Sequence, residues 1–163
     1  FLAGIAVGPG IHDTAYAGGL PAKQVRPETS KAAQARALSA VFRDFFRAQD
    51  CARGVVLLTL STEAWRACTA VQASPAAFRA GLAADDPAIS PAQIYAWAAL
   101  EAGYPVVNCT PNPVLEAPAL QALAVERGLA LAGSDLKSGQ TYLKTVLGAA
   151  LSRRLLGVKG WFS

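Results

Sequence analysis

The sequence predicts an α/β domain whose core is a doubly wound, mostly parallel sheet. Short apolar runs alternate along the chain with longer segments whose apolar residues recur at helical spacing. The run VVLLTL is almost continuously apolar, which is typical of a parallel strand that is buried on both faces. Several of the longer segments begin at serine or serine-proline and end at glycine, as helices commonly do.

The first part of the chain contains two predicted strands. Residues 1–7 are predicted to form a strand, and a loop rich in glycine and proline follows. A helix is predicted from about residue 30 to 49, because a threonine and a serine can cap its start and apolar residues follow at helical spacing. Residues 55–60 form the next predicted strand. Ser61 is then expected to cap a short helical stretch.

The second part continues the alternation of strands and helices. A capping serine followed by proline predicts helix starts at Ser74 and Ser90, and the second helix is expected to end at Gly103. The elements predicted after it are strand 105–110, helix 119–127 closed by Gly128, strand 129–133, a long helix that ends at Gly157, and the start of a fourth strand near Val158. The long helix is expected to turn five apolar side chains inward: Leu143, Val146, Leu147, Ala150 and Leu151.

Composition bounds the functions that the chain could have. Hydrophobic residues make up 53% of the sequence and charged residues 16%, which is enough apolar material for a substantial core. The apolar runs are too short for a membrane span. The net charge of +4 is scattered without a basic stripe, so we expect no nucleic-acid partner, whereas anionic small molecules fit.

The cysteine and histidine content argues against metal and triad chemistry. Three widely spaced cysteines favour reduced thiols in a cytoplasmic protein. A single histidine, His12, favours neither a zinc site nor a serine-histidine-aspartate triad within this chain. The 163 residues correspond to one domain or a piece of a larger one. The absence of methionine and the apolar ends make us expect an incomplete domain from a longer protein.

Small polar residues follow each of the three central predicted strands. Ligands of open parallel sheets bind outside the carboxyl ends of the strands, which makes residues 59–62, 108–111 and 133–138 the candidate site. The alternative reading is structural, with Ser61 and Ser138 as helix caps and Asn108 as a turn residue.

The segment GSDLKSGQTYLK, residues 133–144, is the sharpest of the three candidates. Ser138 and Gly139 would lie at a helix N-terminus, where free N–H groups and the helix dipole favour a phosphate or carboxylate. Lys137 would add positive charge, and Asp135 could accept hydrogen bonds from hydroxyl or amide groups. The order of a Walker A loop is absent. The pair Gly8-x-Gly10 is interpreted as a plain loop rather than a phosphate loop, since the third glycine is missing.

Three segments in matching order resemble myo-inositol-1-phosphate synthases. GSDLKSGQTYLKTVL resembles that family's G-D-D-x-K-S-G-Q-T segment. VVLLTLSTE, residues 55–63, is similar to its strand ending in T-x-N-T-E, and SPAQIYAWAALEAGYPVVNCTPNP, residues 90–113, to its segment ending in N-G-[ST]-P. The resemblance covers about residues 40–160, and the ending LLGVKGWFS resembles bacterial or archaeal members.

This resemblance implies a partial NAD-binding, Rossmann-like domain over residues 1–163, with residues 140–163 leading into a catalytic and oligomerisation domain. It also implies an isomerase of inositol and phospholipid biosynthesis that converts glucose 6-phosphate to myo-inositol 1-phosphate. The steps would be oxidation, enolisation, intramolecular aldol closure and reduction, with NAD as cofactor and a homotetramer as the assembly.

The site residues that the resemblance implies fall into three groups. Those expected to bind NAD are Thr59, Leu60, Ser61, Thr62, Asn108, Cys109, Asp135 and Ser138. Asp135 and Lys137 are the expected catalytic residues, Ser138 and Gly139 would bind the substrate phosphate, and no metal site is expected.

Two departures from the family pattern keep an alternative open. Cys109 stands where the family usually has glycine, and Ser134 where it usually has the first aspartate of G-D-D. A non-catalytic relative that binds NAD would tolerate both changes. This fragment by itself is expected to be inactive, because the family's glycine-rich loop and most of its catalytic lysines would lie outside it.

Overall fold

The computed structural model describes residues 10–13, 25–136 and 140–159. Within these ranges the helices are α1 (Lys31–Ala48), α2 (Pro75–Ala83), α3 (Pro91–Ala102), α4 (Pro118–Glu126) and α5 (Gln140–Arg153), with a 3-10 turn at Ala70–Gln72. The strands are β1 (Val56–Leu58), β2 (Val106–Asn108) and β3 (Leu131–Ala132). The predicted strand 1–7 lies outside the described residues.

The three strands form a parallel sheet in the order β1-β2-β3. Val106 in β2 lies opposite Val56 of β1 and opposite Leu131 of β3. Each strand is followed by a helical crossover before the next one begins, so the predicted α/β class with a parallel sheet is confirmed. All three strands therefore present their carboxyl ends at one edge, where ligands of such sheets bind.

Helix α3 lies at the centre of the core. It packs against β1 and β2 on one side and against α1 and α4 on others. The ring of Trp97 in α3 stacks on Phe78 of α2, with 4.8 Å between ring centroids. Leu100 and Leu120 are fully buried. Because α3 is buried along most of its length, its N-terminus is held in a fixed place beside the carboxyl ends of the strands.

The predicted helix boundaries are confirmed where they rest on local capping chemistry. The hydroxyls of Ser30, Ser74 and Ser90 accept hydrogen bonds from the backbone N–H three residues on. Gly103 and Gly128 follow α3 and α4 with φ of +92° and +64°. Glycine adopts these left-handed conformations without a steric cost.

Burial of β1 on both faces is not observed. Val56 and Leu58 are buried, whereas Leu57 between them is 60% exposed. Successive side chains of a strand point to opposite faces, and none of the described helices covers the face that carries Leu57. The strand is also shorter than predicted, and Val55 just before it is exposed.

The short helix predicted after Ser61 is wrong. No helical turn forms between β1 and Ala70 in the described chain. The backbone groups of this loop find partners elsewhere in the fold: Glu63 N–H donates to Asn112, and Ala64 N–H donates to Asp13. These tertiary hydrogen bonds satisfy the donors that a helix would otherwise have used.

The inward orientation predicted for the apolar side chains of α5 is also wrong for four of the five. Leu143, Val146 and Leu147 are 52%, 50% and 42% exposed, and Ala150 is exposed as well. None of the described strands or helices packs extensively on α5. The helix ends at Arg153 rather than at Gly157, and the expected fourth strand lies mostly outside the described residues. No helix among residues 10–13, 25–136 and 140–159 is long and apolar enough to cross a membrane.

Candidate functional site

The carboxyl end of β1 opens into a cavity of about 220 Å³. Residues 59–63, which follow this strand, form one wall, and residues 11–13 form another together with Tyr95 of α3. The cavity therefore lies at the sheet edge where the sequence predicted a site.

Hydrogen bonds hold the 11–13 segment against the core and against the loop after β1. The N–H of Ile11 donates to the hydroxyl oxygen of Tyr95 at 2.9 Å. The buried Asp13 accepts two hydrogen bonds on Oδ2, from Ala64 N–H at 3.0 Å and from Arg66 Nη1 at 2.8 Å. The hydrogen bond to this carboxylate raises the pKa of the Arg66 guanidinium, and the two side chains form an ion pair at 2.8 Å.

The loop after β1 is held by Asn112 from the loop after β2. Asn112 Oδ1 accepts from Glu63 N–H at 2.9 Å, and its Nδ2 donates to the carbonyl of Ser61 at 3.0 Å. Asn112 itself is buried. With its backbone fixed, the loop presents the exposed side chains of Thr59 and Thr62 at the cavity.

Glu63 is a buried acid in the wall of this cavity. It is 8% exposed, and its Oε1 accepts from Ala92 N–H in the first turn of α3 at 2.8 Å. Its Oε2 is buried and has no hydrogen-bond partner in the described chain. Burial raises the pKa of Glu63, and the hydroxyl of Ser90 and the Ala92 N–H act in the opposite direction.

The end of β2 is occupied by a structural asparagine. Asn108 is buried, and its Oδ1 accepts from both the N–H and the hydroxyl of Thr110, at 3.1 and 2.7 Å. Its Nδ2 donates to the carbonyl of Asn112 at 2.8 Å. Asn108 thus shapes the turn that positions Asn112. The next residue, Cys109, is partly buried and extends the ladder through its N–H to Leu58.

The end of β3 approaches β2 closely. A Cβ at Gly133 would come nearer than 3.0 Å to the carbonyl oxygen of Asn108, and Gly133 has a φ of +84°. Only glycine fits there. Asp135 also has a positive φ, +77°, and its exposed carboxylate accepts from Leu136 N–H at 2.8 Å. Lys137, Ser138 and Gly139 lie outside the described residues, so their predicted roles stay predictions.

Four of the predicted cofactor-binding residues therefore come together in one cavity: Thr59, Leu60, Ser61 and Thr62. The cavity also brings in residues for which the sequence indicated no role: His12, Asp13, Glu63 and Tyr95. Two signals could have found some of them. The single histidine stands next to an aspartate after a glycine-rich stretch, and Glu63 is the last residue of the T-x-N-T-E-like segment. No cluster of potential metal ligands occurs in the part of the chain that the structure describes.

A family model described as myo-inositol-1-phosphate synthase matches residues 9–156. The chain belongs to this family. The matching model is the NAD-binding one, so NAD is the cofactor of this region of the synthase family.

Individual relatives agree with that assignment. Inositol-3-phosphate synthase 1 of Bacteroides thetaiotaomicron is 33% identical over 95% of this chain and 36% of that protein. Inositol-3-phosphate synthase 1 of Oryza sativa subsp. japonica is 34% identical over 64% of this chain and 21% of that protein. The chain thus spans about a third or less of the length of these synthases.

The fold agrees with that of a solved synthase. The crystal structure of inositol-3-phosphate synthase from Caenorhabditis elegans superposes with a TM-score of 0.75 at 24% identity. The match covers 90% of this chain and 29% of that chain. At this identity, the likeness establishes the fold, and the predicted Rossmann-like class is confirmed.

The residues at the sheet edge fit part of an NAD molecule. Small hydroxyl side chains and a buried, unpaired carboxylate oxygen offer hydrogen bonds without bulk, as a nucleotide site requires. The cavity volume lies below the roughly 300 Å³ at which whole-ligand pockets begin. The ends of β2 and β3 would therefore have to take the remainder of the dinucleotide.

Proposed function

We propose that this chain is the NAD-binding part of an enzyme that converts glucose 6-phosphate to myo-inositol 1-phosphate. The conversion comprises oxidation of a hydroxyl, enolisation, intramolecular aldol closure and reduction of the ring. The observation that carries the proposal is the cavity at the end of β1, walled by the T-x-N-T-E-like loop, in a chain of the synthase family.

The chain's own residues bind and orient in this proposal. Residues 59–62 would contact NAD through their backbone and hydroxyl groups, with residues 108 and 109 beside them. Asp135 would accept a hydrogen bond at the nicotinamide end, while Lys137 would lie close enough to move a proton at the substrate. Ser138 and Gly139 would bind the substrate phosphate at the start of α5. When bound, NAD supplies hydride acceptance and donation.

Four further features of the whole protein belong to the same proposal. Residues 140–163 lead into the part of the protein that completes the catalytic site and forms subunit contacts. The exposed apolar side chains of α5 support this, since such residues are usually covered in an assembled protein. The assembly would be a homotetramer. It would work in the cytoplasm in a route to inositol phospholipids.

A second candidate function is a non-catalytic, synthase-related protein that binds NAD. Cys109 favours it, because its side chain takes up space at the end of β2 where the family pattern has glycine. The fold and the cavity at β1 would serve both functions equally well.

The test is an assay of the full-length protein with glucose 6-phosphate and NAD, with inositol phosphate measured by chromatography. The synthase predicts a product that disappears when NAD is removed. Bound NAD without any product would reject the synthase and leave the second candidate. Cys109→Gly serves as a matched variant, since it should raise turnover if the thiol crowds the cofactor.

A further inference from the structure

We propose that Glu63 is a cofactor-binding residue, whose free Oε2 accepts a hydrogen bond from a ribose hydroxyl of the bound dinucleotide. Oε1 keeps its hydrogen bond from Ala92 N–H, so one carboxylate would join the cofactor to the start of α3. The inference rests on the NAD site proposed above and adds a residue to it.

The unpaired state of Oε2 is the first argument. Glu63 is 8% exposed, and nothing in the described chain donates to this oxygen. Buried polar atoms in folded proteins nearly always have a partner, because burial without a hydrogen bond is costly, and more so when the atom is charged. Glu63 lines the cavity, so a ligand bound there would lie next to the side chain that carries this unpaired oxygen.

The rigidity of the carboxylate is the second argument. Glu63 N–H is held by Asn112, and Oε1 is held by the Ala92 N–H of a deeply buried helix. The backbone and one carboxylate oxygen of Glu63 are therefore both held by hydrogen bonds. An acceptor that is already oriented loses little conformational entropy when it binds a ligand.

The chemistry of the group identifies the donor. An ionised carboxylate only accepts hydrogen bonds, and it repels phosphate. The ribose hydroxyls are uncharged donors of NAD, and acidic side chains bind them in other dinucleotide sites. A carboxylate at this edge thus fits the sugar and not the pyrophosphate.

The charged and titratable groups near Glu63 set its response to binding. Burial is the main cause of the raised pKa of Glu63, and the hydroxyl of Ser90 acts in the opposite direction. Among the charged groups, Asp13 raises this pKa and Arg66 lowers it, while His12 and Tyr95 line the same cavity. A hydrogen bond from a ribose hydroxyl favours the ionised form of Glu63. NAD binding should therefore lower the pKa of Glu63. Protons should be released at a pH between the pKa of Glu63 in the free protein and its pKa in the NAD-bound protein.

The experiment is isothermal titration of NAD into the full-length protein at several pH values, in two buffers with different ionisation enthalpies. The wild type should release protons in a pH-dependent way. Glu63→Gln keeps the acceptor for Ala92 but replaces Oε2 by a donor. It should abolish the release and weaken NAD binding roughly tenfold, the effect of one lost hydrogen bond of about 1.4 kcal/mol. Glu126→Gln on the exposed end of α4 is the matched control and should change neither quantity.

The outcomes separate this inference from the proposed function. A wild type that binds NAD without proton release overturns the role of Glu63 and leaves the proposed function standing, and it does so without any variant. If Glu63→Gln binds NAD with the affinity and the proton release of the wild type, the role of Glu63 is likewise overturned and the proposed function stands. A wild type that binds no NAD at all overturns both.

Discussion

Asn112 and Glu63 join the loops at the ends of two neighbouring strands: the side-chain carbonyl of Asn112 accepts the Glu63 N–H at 2.9 Å. The same side chain donates to the carbonyl of Ser61 at 3.0 Å. One buried side-chain amide in the loop after β2 therefore fixes the loop after β1, which forms a wall of the cavity.

Asn112→Ala should destabilise the protein and weaken NAD binding together. The variant leaves the buried N–H of Glu63 without an acceptor, which costs about 1–3 kcal/mol. The loop after β1 then loses its fixed backbone, so affinity falls as well. Urea unfolding and NAD titration measure the two effects. Asn112→Asp keeps the acceptor for Glu63 N–H and loses the donor to the Ser61 carbonyl. Its stability should lie between those of the wild type and Asn112→Ala. A stable variant with normal affinity would refute the role of Asn112.

Gly133→Ala should be more destabilising than Gly103→Ala. Both positions have positive φ, at which alanine is strained by about 1–2 kcal/mol. A Cβ at Gly103 meets nothing within 4 Å, whereas a Cβ at Gly133 collides with the carbonyl of Asn108. Gly133→Ala therefore carries an additional cost of about 1–3 kcal/mol, as overpacking does. Equal shifts of the urea midpoint would show that β3 moves away from β2 without cost.

The parts of the fold that depend on local chemistry could be predicted from the sequence. Ser74 and Ser90 predict where their helices start, because capping involves atoms only three residues apart. The course of the loop after Ser61 could not be predicted. Its hydrogen-bond partners, Asp13 and Asn112, are about fifty residues away on either side. Tertiary contacts of this kind override a local helix signal.

The candidate site likewise contains residues that could be predicted from the sequence and residues that could not. Residues 59–62 could be predicted because the sheet places them at a strand end. A role for Glu63 could not be predicted, because its burial depends on where the start of α3 lies. The exposed side chains of α5 illustrate the opposite case, since apolar periodicity predicts an inward face and does not indicate which element covers it.

The stability of the protein should depend on pH through Glu63. Burial raises the folded-state pKa of this acid above its unfolded value. Its contribution to stability is then fully present below the unfolded pKa and is lost as pH rises through the folded pKa. Glu63→Gln removes the titration, so the variant should gain stability relative to the wild type as pH rises above the ordinary glutamate pKa of about 4.3 and through the folded-state value. Urea unfolding at several pH values measures the difference. A difference that is independent of pH would show that the folded pKa is not raised.

Asp135→Asn should leave the fold intact and impair function. Asp135 has a φ of +77°, a conformation that asparagine also tolerates, and its Oδ1 accepts Leu136 N–H, which an amide oxygen can also do. The substitution therefore removes the charge alone. Alanine would confuse the result, because it adds backbone strain at this φ.

If the carboxylate of Asp135 contacts the nicotinamide end of NAD, Asp135→Asn should weaken binding or reduce turnover at an unchanged urea midpoint. Asp135→Gly is the companion variant, since it relieves the strain of positive φ while removing the carboxylate. It should be as stable as the wild type and equally impaired in function. Full activity in both variants would assign Asp135 to the turn between β3 and α5 and exclude it from the site. A lower urea midpoint in Asp135→Asn would instead show that its charge stabilises the start of α5.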